Sequence, residues 1–123
     1  MKKLILVLLI MSIQVTCYAA DLKASWYSVA SLKQEGTWKI SKGVMANGEV
    51  FNENNLTCAT RLYRIGTYLR IWNVQNNKSV VVKVTDRIGK RFANSRIDLS
   101  RAAFQRIAAL DEGTVPIRVE VAK

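Results

Sequence analysis

The clearest hydrophobic pattern in the chain is VVVKVTD, Val80 to Asp86. Val80, Val82 and Val84 share one face and Val81, Lys83 and Thr85 the other, the two-residue period of a strand. Tyr68 to Val74 alternates in the same way, with Leu69 and Ile71 opposite Tyr68, Arg70 and Trp72. Gln75-Asn76-Asn77-Lys78 lies between the two runs, so together they predict a hairpin. Val115, Ile117, Val119 and Val121 alternate with Pro116, Arg118 and Glu120 as a last strand, and Lys23 to Tyr27 and Leu56 to Leu62 predict two more. One short helix is expected after Ser100, an N-cap residue, with Ala103, Phe104, Ile107 and Ala108 on one face and Gly113 ending it. Ser28 to Gly43 and Arg87 to Arg96 show no period. Several short strands with one helix near the end predict a small closed barrel.

The alternation of the Val80 strand, carried through, brings Asp86 onto the apolar face where the strand runs out. Partial desolvation there raises the pKa of a carboxyl group, which lets it donate a proton near neutral pH. Asp86 is therefore the candidate for chemistry. Its residue context alone leaves a structural role open, as a cap for the following loop or a partner of Arg87 or Arg96.

Composition changes the picture in three ways. Lys2 and Lys3, the apolar run Leu4 to Ile13 and the segment Cys17-Tyr18-Ala19 have the order of a secretory signal cleaved after Ala19. Residues 1–19 are thus read as a signal peptide and 20–123 as one domain, exported to the periplasm or the extracellular space. The apolar run is too short to span a bilayer, and Gln14 and Thr16 disfavour lipid anchoring at Cys17. The whole chain carries nineteen Lys and Arg against nine Asp and Glu, a net charge of +10, which becomes +8 without Lys2 and Lys3. Such a surface suits an anionic polymer. Histidine is absent, which excludes Ser-His-Asp and Cys-His catalysis and the usual zinc sites. Cleavage leaves Cys58 as the one cysteine, a small core residue rather than a nucleophile. Nothing calls for a metal or a cofactor.

Five motifs appear in order: MANGEVF (Met45 to Phe51), LTCATRLYRIGTYLRIWN (Leu56 to Asn73), NNKSVVVKVTDR (Asn76 to Arg87), RIDLSRAAFQRIA (Arg96 to Ala108) and VPIRVEV (Val115 to Val121). In this the chain resembles the rare lipoprotein A (RlpA-like) family from Ala24 to Val121. The resemblance implies a mainly-β fold, a six-stranded double-psi β-barrel with one short helix before the last strand, as in the first domain of expansins. It also implies lytic transglycosylation of peptidoglycan strands stripped of their stem peptides, by a monomer with no nucleic acid partner. Asp86 matches the family's catalytic acid and Glu49 the glutamate of its G-E-x-F motif. Asp98 matches its D-L-S aspartate, although its position two residues before Ser100 also suits a tie to the helix start. Thr60-Arg61 replaces the family's His-Arg pair, and Ile88-Gly89 its Gly-Pro. Thr60, Trp26, Tyr27, Arg87 and Asp98 are the implied substrate contacts, with Asp86 and Glu49 the catalytic carboxyls; by their own residue context Glu49 equally suits the surface beside its turn, Thr60 a buried strand position, and Trp26 and Tyr27 the filling of the barrel end.

A lytic transglycosylase needs only one acid, because its conjugate base accepts the proton of the sugar's own C6 hydroxyl as the 1,6-anhydro ring closes. That hydroxyl is already part of the substrate, which is a large proximity advantage. An expansin-like module that grips glycan without cutting it is the alternative reading.

Overall fold

A computed structural model describes residues 22–122. The signal segment and Cys17 lie outside the described residues. Six strands, β1 (Lys23–Tyr27), β2 (Thr57–Ala59), β3 (Tyr68–Asn73), β4 (Ser79–Asp86), β5 (Arg96–Ser100) and β6 (Val115–Val121), close into a barrel in the order β1-β5-β2-β4-β3-β6. β1/β5 and β2/β4 are parallel pairs, and the other four pairings are antiparallel. The predicted hairpin is present as β3/β4, with Asn77 in the left-handed conformation at its tip (φ 62°). β5 is not among the strands the hydrophobic pattern predicts. Only Ile97 and Leu99 mark its inner face, in a segment too short and too basic to stand out.

The barrel interior is apolar on every side. Ala24, Cys58, Leu69, Ile71, Val82, Val84, Ile97 and Leu99 are fully buried there. Phe104, in the last helix, and Ile107, just after it, belong to the same cluster. Cys58 is a core residue as expected, and burial pushes its thiol up to about 12.

Ser28 to Gly43 is not the irregular stretch that its lack of period suggests. It forms two short helices, α1 (Val29–Gln34) and α2 (Thr37–Ser41). Ser28 and Ser31 exchange hydrogen bonds in a capping box at the start of α1. Trp38 serves as a local plug: its ring lies against Gly43, where an added Cβ would come within 2.5 Å, and Lys33 sits 5.2 Å from its centroid. Gly43 also has φ +78°, so no other residue fits there without strain. A second apolar cluster of Tyr27, Met45, Phe51, Ala59 and Ile88, joined by Val29 and Leu32, seats this layer on the outside of the barrel. The described residues therefore hold three short α-helices rather than one.

The third, α3 (Arg101–Gln105), begins at Ser100 as expected, but it stops before Ile107. Ser100 is fully buried. Its hydroxyl donates to the Asn55 carbonyl and accepts from the N–H groups of Ala103 (3.3 Å) and Thr57 (3.4 Å). Gly113 closes a separate 3-10 turn, Leu110–Glu112. Replacement of Ser100 by Ala leaves the Asn55 carbonyl and the α3 amide without their partner. A loss of about 2 kcal/mol is expected from the cap and the buried hydrogen bond together. Urea unfolding should show a lowered midpoint with an unchanged slope, and an unchanged midpoint would refute this role.

Candidate active site

The register of the strands aligns four residues in one row across the barrel wall. Ser25 on β1 is level with Asp98 on β5, Asp98 with Ala59 on β2, and Ala59 with Asp86 on β4. Level neighbours share a face, so the two carboxylates look outward on either side of Ala59, about 10 Å apart at their Cα atoms by two strand spacings. They line one cavity of about 400 Å³ between the barrel wall and the α1–α2 layer, together with Tyr27, Glu35 and Arg87. A small side chain at position 59 leaves the floor between the carboxylates open.

Asp86 reaches that face through an irregularity in β4. Cys58 pairs with Val84, but the next residue, Ala59, pairs with Asp86, leaving Thr85 as the extra residue of a bulge. The alternation that assigned Asp86 to the apolar face thus breaks one residue before it. Val84 points into the core, while Thr85 is buried beneath the outer layer with its hydroxyl 3.3 Å from Met45 Sδ. Asp86 is half-buried and faces the cavity. Its Oδ1 accepts from the N–H groups of Ala46 (3.0 Å) and Arg87 (2.8 Å), and among the described residues Oδ2 has no protein donor.

Desolvation acts strongly on Asp98, the level neighbour of Ala59 on β5. Burial raises its pKa from 3.8 to about 6, opposed by a hydrogen bond from Ser25 Oγ (2.9 Å) and assisted by the negative charges of Glu35 and Asp86. Asp98 makes no tie to the start of α3, which Ser100 caps. Tyr27 also faces the cavity, stacked on Phe51 at 4.3 Å. Its buried hydroxyl has no hydrogen-bond partner, and its pKa is pushed well above the phenol range by burial and by Asp86 and Asp98.

The remaining expected contacts lie elsewhere. Glu49 is exposed and outside the cavity, and it braces the Asn47-Gly48 turn by accepting from Asn47 Nδ2 (2.6 Å). Since that turn presents the Ala46 amide to Asp86, and the Asn47 N–H donates to the Thr85 carbonyl (3.1 Å), Glu49 acts through backbone placement. Thr60 is fully buried, and its hydroxyl accepts from the Leu62 N–H (3.1 Å) rather than facing the groove. Trp26 is on the opposite face of β1, packed on the barrel core with its indole N–H donating to the Leu110 carbonyl (3.0 Å). Arg87 lines the cavity, but its guanidinium donates to the carbonyls of Thr60 and Tyr63, both at 2.6 Å. Glu35, at the end of α1, is the carboxylate that sequence reasoning missed, since nothing in an aperiodic segment marks it as facing a groove.

This arrangement is one known barrel architecture, a double-psi β-barrel. A family model described as lytic transglycolase matches residues 19–119, and the chain belongs to that family. It is 38% identical over 103 residues to the endolytic peptidoglycan transglycosylase RlpA of Campylobacter jejuni, covering 83% of this chain and 34% of the relative. With the RlpA of Pseudomonas aeruginosa strain UCBPP-PA14 it shares 36% identity over 97 residues, 79% of this chain and 26% of the relative. The chain thus spans about a third or less of the length of these two relatives. Among solved structures, the Streptomyces papain inhibitor superposes with a TM-score of 0.62 at 22% identity, over 82% of this chain and 91% of that one. A Clavibacter michiganensis expansin in complex with cellohexaose gives 0.58 at 17% identity, over 83% and 49%. Those likenesses concern the fold.

Asp98 bears on stability as well as on chemistry. It titrates near 3.8 when unfolded and near 6 when folded, so between those values the folded form binds the extra proton. Stability is fully present below about pH 4, falls as pH rises towards 6, and remains lowered above. Asp98→Asn, which keeps an acceptor for Ser25, should raise stability at pH 7 by about 2 kcal/mol. It should also flatten the pH dependence of the urea midpoint between 4 and 6. Equal midpoints for both proteins at pH 7 would contradict a desolvated carboxylate.

Proposed function

We propose that the protein is a peptidoglycan lytic transglycosylase whose groove-facing carboxyl pair, Asp86 and Asp98, cleaves glycan strands to 1,6-anhydro ends. The observation that carries this reading is the row Asp98–Ala59–Asp86: two carboxyl groups in unlike environments facing one cavity across an alanine. Two carboxyls in unlike surroundings suit one proton-carrying and one stabilising role. Asp98, raised to about 6, holds a proton for part of the population near neutrality and donates it to the glycosidic oxygen. The Oδ2 of Asp86 faces the cationic carbon that develops as the bond breaks. The ionised Asp98 then takes the C6 hydroxyl proton while that oxygen closes on C1, so no water need be bound. The acid and base work assigned to Asp86 alone from the sequence is thus given to Asp98, with Asp86 facing the reacting carbon.

A gripping, non-cutting module is the second reading. It is favoured by one observation: where relatives are expected to carry histidine, Thr60 offers no group to the groove.

The test is incubation with purified peptidoglycan, intact and amidase-treated, followed by mass spectrometry of the released glycans. The protein should yield anhydro-ended products. Asp86→Asn and Asp98→Asn should each lower the rate at least ~100-fold, the usual scale for loss of a catalytic acid or of electrostatic stabilisation. The rate of the unchanged protein should fall as pH rises above 6. Wild-type rates in Asp98→Asn with none in Asp86→Asn would return the acid role to Asp86. Retention on the insoluble wall without any anhydro product would establish the gripping module instead.

A further inference from the structure

The outer face of β1 and β5 continues past the carboxylates to a second hollow. Two residues before Ser25 and Asp98 on these strands stand Lys23 and Arg96, themselves level with one another. The strand rise sets this second pair roughly 7 Å from the first. With Arg91, Phe92 and Ser95 they line a cavity of about 440 Å³. The Phe92 ring holds both guanidinium groups, Arg96 at 4.4 Å and Arg91 at 5.0 Å from its centroid. The 3-10 turn Lys90–Phe92 carries Arg91 and Phe92, and the Phe92 carbonyl accepts from the Ser95 N–H (3.1 Å). The Ser95 carbonyl in turn accepts from the Lys23 N–H (3.1 Å), so the basic segment is tied to the edge of β1.

Among the described residues none of these three cations has a carboxylate within ion-pair distance. Among the described residues the one ion pair within 4.0 Å is Arg101 with Glu53, at the start of α3. Two guanidiniums on one ring, with a lysine beside them, repel one another unless an anion enters. Cation–π contact fixes the arginines in advance, so an entering anion meets a partly ordered pair rather than two free side chains. The charge of Arg96 is also felt at Asp98, which ties the two hollows electrostatically.

We propose that Lys23, Arg91 and Arg96 form an oxyanion subsite that takes a carboxylate of the glycan strand lying in the groove. This rests on the groove being a glycan site. A muramic sugar carries a lactyl carboxyl group, and the hollow lies on the same face of β5 as Asp98. Phosphate groups of wall polymers present similar oxygens, and the test separates the two sources.

Binding is measured in the Asp86→Asn background, so that no cleavage intervenes, using soluble peptide-free glycan with free carboxyl groups and the same glycan with those groups converted to methylamides. The free-carboxyl glycan should bind about tenfold more tightly at low salt, and the difference should vanish at high salt. Arg91→Gln and Lys23→Gln should each reduce that ratio and together abolish it, with unchanged thermal midpoints as the folding control. Equal binding of the two glycans by the Asp86→Asn protein overturns the subsite while leaving the groove reading standing. If neither glycan binds, the groove reading fails. The hollow is then probed with inorganic phosphate and with acetate by amide chemical shifts at Phe92, Ser95 and Arg96. Saturable shifts with acetate, lost in Arg91→Gln, support an oxyanion site. Shifts with phosphate alone overturn the carboxylate assignment in favour of a phosphate polymer, and shifts with neither overturn the site.

Discussion

The interior of this barrel is filled by apolar side chains from all six strands, and that filling constrains everything else. A closed sheet this small has no cavity for a ligand, so the residues able to do chemistry must stand on its outer face. Each strand then has to turn its polar residues out and its apolar residues in, without an error of phase. β4 achieves this with an insertion. The extra residue, Thr85, lets Val84 complete the core and Asp86 look outward one step later. Without that bulge the same strand would bury a carboxyl group among valines, at a cost of several kcal/mol.

The site is assembled from distant pieces, each held by its own backbone contacts. β1 supplies Ser25 and Tyr27, β5 supplies Asp98, and β4 supplies Asp86. The Asn47-Gly48 turn adds the amide that fixes Asp86 Oδ1. The α1–α2 layer covers the groove through the Tyr27, Met45, Phe51 and Ile88 cluster and brings Glu35 to its rim. Glu53 anchors this layer by accepting from the Val29 N–H (2.9 Å) and pairing with Arg101 at 3.2 Å, joining α1 to α3. The groove has unfavourable features of its own: a desolvated Asp98 and a Tyr27 hydroxyl without a partner. Both oppose folding, and the apolar barrel offsets them, a division common where binding and catalysis occur.

The family motifs acquire physical meaning in this arrangement. MANGEVF is a turn that presents an amide to a carboxylate, with its glutamate as brace. The D-R pair couples Asp86 to an arginine whose guanidinium ties down the carbonyls of Thr60 and Tyr63. The D-L-S segment is a strand in which Asp98 faces the groove, Leu99 the core, and Ser100 caps α3. Thr60 is accommodated in the barrel wall because its hydroxyl is satisfied locally by the Leu62 amide.

The sequence by itself determined the barrel class, the β3–β4 hairpin, the first and last strands, the Ser100 cap and the burial of Cys58. Each depends on a local period or on the chemistry of one residue type. It also put Asp86 at the end of its strand, but on the apolar face, since alternation cannot foresee a bulge. Only the tertiary structure decided which carboxylate is desolvated, that Glu49 and Thr60 support backbone rather than face the groove, and that Trp26 and Tyr27 take opposite faces of one strand. It alone revealed β5 and the two helices between Ser28 and Gly43. Desolvation and facing depend on which strands lie side by side, and here two of the six pairings are parallel, joining segments far apart in the chain. No window along the sequence contains that information.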